Sequence, residues 1–307
     1  MACGGRLELS DFWLNHEDAS LFAKSQWPVH QSIYLAWRVF LALYTTGWLV
    51  AEFVVYWDDG AFFIFLTNWT YIVLTLYAVW SCFGTFYFTF SGGRKSRCNE
   101  SSATGPSQAF VPHPPYTDPT SSDERRPLLH QLPSSEEPAP SPRLPIYFKL
   151  VWLTFNICLA TDILITVLFW SFLVPPHQSP VVWAFNINIH ILNTVFIYTE
   201  LAVTAIPVRL VHFVYGLVYG LLYAIFTLIY YLAGGMNPET KSTVIYPNLV
   251  DWSHAGQTAL VVSVSSVVEA LGFIFLGYAV YRLRVYIHRR YFHTRSDDRS
   301  ALTTADI

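Results

Sequence analysis

WAFNINIHILNTVFIYTELAVTAIP, Trp183 to Pro207, is apolar enough to cross a bilayer as one helix, yet it carries Asn186, Asn188, His190, Asn193 and Glu200. A polar group in hydrocarbon needs a protein partner or a water-filled cavity, so such groups face a bundle interior and often mark functional positions. The stretch therefore reads as a membrane helix with an interior to line. The rest of the chain is read by how it packs around this helix.

The composition agrees. Of 307 residues, 53% are hydrophobic, 17% aromatic and only 13% charged, where soluble domains carry about 25% charged residues. The apolar residues form long runs without a strand or amphipathic period. Six runs approach the ~20 residues that cross the hydrocarbon core, at about 32–56, 63–90, 146–173, 181–206, 209–233 and 256–282. Each must be a helix, because in lipid only a helix satisfies its own backbone. The expected fold is an all-α membrane protein, a bundle of six transmembrane helices embedded in the lipid bilayer.

Charge sets the expected orientation. Arg94, Lys95 and Arg97 follow the second span, Arg209 sits between spans four and five, and Arg282, Arg284, Arg289, Arg290, Arg295 and Arg299 close the chain. The other side offers Lys241 alone. Positive loops stay cytosolic, so both termini are expected there. Residues 1–31 read as a cytosolic tail or, through Phe12, Trp13, Leu21, Phe22 and Trp27, a short interfacial helix; they show no cleavable leader, so the first span serves as the signal anchor. Residues 283–307 read as a basic tail resting on anionic headgroups and not on nucleic acid.

Residues 91–145 are rich in Ser, Pro and charge, with too little apolar surface to offset ordering entropy. They read as a long disordered cytosolic loop between helices 2 and 3. Within it Glu124-Arg125-Arg126-Pro127-Leu128-Leu129 resembles an acidic dileucine sorting signal, which implies clathrin adaptors as partners. The location is then the plasma membrane or the endosomes and lysosomes. Cys98 is either a free cytosolic thiol or a palmitoylation site. Cys82 and Cys158 lie inside apolar spans and read as packing residues, so no structural disulfide is expected. The sequons at Asn68 and Asn99 are expected to stay unglycosylated, the first too deep and the second cytosolic.

Depth brings three reactive groups to one layer. Thr67 lies about one turn inside span two, His190 about two turns inside span four, and Asp162 at a similar depth in span three. A threonine hydroxyl is a weak nucleophile that needs a base, and histidine titrates near neutrality. A carboxylate such as Asp162 would hold the imidazole tautomer. Asn186, one turn before His190, is placed to donate to a developing oxyanion. The competing reading makes these residues helix-packing polar contacts, as Thr and Asn often are in membranes. Arg38 and Glu200 lie at matching depths and are expected to pair. Glu52 is expected to reach water at the outer interface, and Glu269 near the midplane has no evident basic partner. These acids keep a transporter reading open, though no internal repeat or pair of broken spans supports it. No His/Cys/Asp cluster has metal-ligand spacing, so no metal or other cofactor is expected.

Three landmarks, FLTNWTYIVLTLYAVW (65–80), Asn186 to His190, and IYPNLVDW (245–252), resemble the rolling stone proteins, multi-pass membrane proteins whose fly founder is linked to myoblast fusion. More distantly they resemble the androgen-induced membrane threonine hydrolases, which cleave fatty acid esters of hydroxy fatty acids with a threonine and a histidine. Leu66-Thr67 matches that family's Leu-Thr. Asn186 to His190 matches its Asn-His-x-x-His, with Ile187 in place of the first histidine. The resemblance implies a lipid ester substrate, Thr67 as nucleophile and His190 as base. Its non-enzymatic counterpart is a scaffold or interaction protein in membrane fusion.

Overall fold

The computed structural model describes residues 8–57, 60–103, 144–174, 176–238, 240–247 and 249–293, with backbone alone at 61 and 92–103. Among them are six helices long and apolar enough to span a membrane. The first is α1, Gln31–Tyr56. The second is α2, Leu66–Ala103, whose apolar part ends at Ser91. The third, α3, Ile146–Leu168, widens into a π-helical turn, Phe169–Leu173. The fourth span is α4, Pro180–Ile187, a π-helical turn, Asn188–Leu192, and α5, Asn193–Val203. The fifth is α6, Phe213–Leu232. The last is α7, Ala255–Gly272, a π-helical turn, Phe273–Tyr278, and α8, Ala279–His288.

Local chemistry sets several of these ends. Ser179 caps α4 by accepting the Val182 N–H, with Pro180 at the first helical position. Thr204 leaves helical geometry after α5, and Pro207 cannot continue a helix. Gly60 takes φ +87, a left-handed turn that suits glycine, just before α2.

Charged and polar groups are buried among the helices, and large apolar side chains face outward. Arg38, Asn156, Asp162, Asn193, Glu200 and His212 are fully buried, while Leu43, Val54, Leu222, Ile229, Leu260 and Phe275 are exposed. A water-soluble fold would expel the first set and bury the second. This inversion, with six spans, makes the chain a multi-pass membrane protein.

The hub is α3, not the fourth span around which the sequence was read. α3 is the most buried of the spans and packs against α2, α5, α6 and α7. Close approach to α6 needs Gly216, where a Cβ would stand 2.5 Å from Ala160 Cβ and 2.7 Å from Glu269 Oε1. The expected Arg38–Glu200 pair is present and ties α1, α2 and α5 together. Glu200 accepts from Arg38, Tyr77 and Trp37, and Arg38 also donates to Tyr34, Ser81 and the Tyr77 oxygen.

Three segments depart from the sequence reading. Residues 8–30 are not a free tail. Phe22 is fully buried against Phe148 and Trp152, and the Trp13 and Asn15 carbonyls accept hydrogen bonds of 2.8 Å from Arg209. Arg209 thus binds chain as well as marking topology. The last helix does not stop at 282 but runs on through α8. There Arg284 is buried and donates to the Leu201 and Ile206 carbonyls at 2.7 and 2.9 Å, satisfying acceptors left at the end of α5. α2 continues to Ala103, into the stretch read as loop, and Cys98 lies on that continuation. Residues 104–143, with Glu124, Leu128 and Leu129, lie outside the described residues.

Candidate functional site

A cavity of about 590 Å³ opens at the end of the bundle away from residues 8–27. α1, α2, α4 and the π-helical turns of spans three and four build its walls, and Asn237, Pro238, Thr240, Ile245, Tyr246 and Pro247 line it from the loop after α6. Thr67 and His190 both line it. They are 8% and 5% exposed, so neither is a surface residue. A second, apolar chamber of about 100 Å³ between α3, α6 and α7 shares Thr67, Phe169, Leu173 and Tyr246 with the first. Thr67 therefore stands where the two chambers meet.

His190 occupies the middle of the π-helical turn of the fourth span. Such turns insert a residue into a helix and recur at functional sites. The turn presses the imidazole flat on Phe169, with centroids 3.5 Å apart and planes within 7°. It also leaves the His190 carbonyl to accept the Thr166 hydroxyl. Nδ1 is buried without a hydrogen-bond partner. The ring is held by stacking, and no carboxylate orients it.

Asp162 is therefore not the orienter expected from depth. Both its oxygens are buried without a hydrogen-bond partner, and it lines neither chamber. The helix rise explains the miss. His190 is level with Phe169, seven residues beyond Asp162 and roughly 10 Å further along α3. Asn186 does line the cavity, but its Nδ2 donates to Gln178 Oε1 at 2.7 Å, so part of its donor capacity is engaged.

Thr67 is the second residue of α2. The first N–H groups of a helix lack intrahelical acceptors and carry partial positive charge. Here the Tyr246 hydroxyl answers them. It accepts the Leu66 N–H at 2.8 Å and interacts with both the backbone and the hydroxyl of Thr67. Burial pushes the Tyr246 phenol above its ordinary value, so it stays protonated at neutral pH. Among the described residues no hydrogen bond joins Thr67 to His190; the two share a cavity.

Sequence reasoning missed three lining residues. Tyr246 lies inside the quoted IYPNLVDW landmark, where it passed as a loop residue. Phe169 gave no signal, being one aromatic among many. Glu52 was expected to reach water but is 2% exposed and faces the cavity.

Fold and site together define the class: a six-span membrane protein with buried polar groups and a ligand-sized cavity at one end of the bundle. A family model described as Protein rolling stone matches residues 3–105 and 137–302. The chain belongs to that family. It is 26% identical over 289 residues to Protein rolling stone of Drosophila melanogaster, covering 93% of this chain and 90% of the fly protein. The matched residues leave out 106–136, the centre of the Ser- and Pro-rich stretch. No solved structure matches.

Proposed function

We propose that the protein is an intramembrane hydrolase of lipid esters, with Thr67 as nucleophile and His190 as base. The observation that carries this reading is that both residues, themselves buried, line one cavity of ligand size. The landmarks shared with the androgen-induced hydrolases support it from the sequence. His190 takes the Thr67 proton as Oγ attacks the ester carbonyl carbon. The oxyanion forms beside the Tyr246 hydroxyl, which lies against Thr67 at the start of α2 and turns its proton to the developing charge. Collapse breaks the ester bond, and His190 returns the proton to the departing alcohol. Water then attacks the acyl-threonine; His190 takes its proton and passes it to Thr67 as the acid leaves.

In this reading the basic end of the bundle faces the cytosol, with both termini there. The cavity then opens toward the outer leaflet. The Glu124, Leu128 and Leu129 segment would route the protein through clathrin adaptors to the plasma membrane or endosomes and lysosomes, and Cys98 would be available for acylation. The direct test is release of fatty acid from lipid esters by purified protein in nanodiscs. His190→Ala should lower turnover about 10²–10⁴-fold. Thr67→Ala should abolish it and Thr67→Ser should retain it. Undiminished hydrolysis by Thr67→Ala would overturn the reading.

A further inference from the structure

The cavity wall has one feature that ester hydrolysis does not use. Glu52, one turn before the end of α1, lines the cavity, is 2% exposed, and has an Oε2 atom with no hydrogen-bond partner. Around the same cavity stand Tyr56, Phe62, Phe65, Phe172 and Phe185. The Tyr56 and Phe185 rings meet edge-on at 5.3 Å. No lysine or arginine is among the described lining residues.

A buried carboxylate oxygen without a partner is unfavourable, and the described lining residues bring no lysine or arginine to this one. Aromatic rings attract cations through their faces, most strongly when water is excluded, and cages of rings recognise quaternary ammonium groups. A phosphate would find no lysine or arginine among the described lining residues and would meet Glu52 as a like charge. We propose that the cavity binds the head of an ammonium-bearing amphiphile, with Glu52 as its counter-charge and the aromatic rings as its walls. The apolar chamber beyond Thr67, lined by Leu164, Ile165 and Leu168, receives part of the chain. This ligand class rests on the cavity being the functional site, and not on Thr67 being a nucleophile.

The test uses full-length protein carrying Thr67→Ala, to prevent turnover, in nanodiscs, with protein-free nanodiscs as the partition control. It is titrated with palmitoylcholine and with the uncharged isostere 3,3-dimethylbutyl palmitate. Palmitoylcholine should bind about tenfold tighter or more, and adding Glu52→Gln should cut that preference about threefold or more, leaving the part owed to the rings. Equal binding of the two esters, a preference undiminished by Glu52→Gln, or no binding of palmitoylcholine to monodisperse protein would each overturn the site as proposed. The comparison of two ligands on one protein needs no variant at Glu52, so poor folding of Glu52→Gln leaves it intact. Preferential binding without hydrolysis of any ester by the unsubstituted protein would refute the nucleophile and leave the ammonium site standing.

Discussion

Glu200→Gln removes one negative charge from a fully buried cluster and changes its shape hardly at all. Glu200 accepts from Arg38, Tyr77 and Trp37, and both partners of the ion pair are 0% exposed. Glutamine would leave the Arg38 guanidinium without its counter-charge and present one acceptor oxygen where there were two. Neutral hydrogen bonds between membrane helices average only about 0.6 kcal/mol, because the unfolded chain in the membrane also finds partners. A lone guanidinium has no such substitute, and breaking a buried pair from one side costs roughly 3–5 kcal/mol. The larger figure should win here, because Tyr34, Tyr77 and Ser81 supply dipoles but no charge. The assay is reversible unfolding of the detergent-purified protein in SDS. Arg38→Met and the double variant complete a cycle in which the double variant loses less than the sum of the singles. A loss below about 1 kcal/mol for Glu200→Gln, or strict additivity, would refute the ion pair as the clamp on α1, α2 and α5.

Gly216→Ala should destabilise by about 1–3 kcal/mol, because its Cβ would meet Ala160 and Glu269 where α3, α6 and α7 converge; the same unfolding assay reads it, and an effect within about 0.5 kcal/mol would contradict that packing. Arg209→Ala should weaken local stability of the N-terminal segment by about 1–2 kcal/mol, seen as roughly tenfold faster amide exchange over residues 8–16 while the helices keep their protection. Phe169→Leu should lower ester turnover about tenfold at unchanged stability, because the His190 ring loses the surface that fixes its plane. Full turnover with Leu at 169 would show that the stack does not position the base.

Hydropathy made the spans legible, because crossing lipid demands a long apolar run whatever surrounds it. Five of the six came within a few residues of their observed limits. Depth along a helix was legible too, and it brought Arg38 to Glu200 and Thr67 to the cavity of His190. Rotation about the helix axis was not. A helix in lipid is apolar on its outer face and packs apolar residues inside as well, so the pattern that phases a soluble helix is weak here. This is why Glu52 was sent to water; Asp162 was instead a miss of depth, seven residues short of the layer of His190. The π-helical turn around His190 shifts the register of everything after it and leaves no mark in composition. Nor did composition show that Phe22 fills the base of the bundle or that Arg284 turns inward; both depend on carbonyls and surfaces exposed only once the helices have packed.

Labelling with a fluorophosphonate probe, read by intact mass and peptide mapping, tests the central claim most directly. An activated hydroxyl is phosphonylated and an ordinary threonine is not. The account predicts one adduct, on Thr67, absent in both Thr67→Ala and His190→Ala while each variant stays monodisperse. Well-folded protein that takes no label, or label that persists in Thr67→Ala, would contradict it and leave Thr67 and His190 as polar residues that pack the bundle.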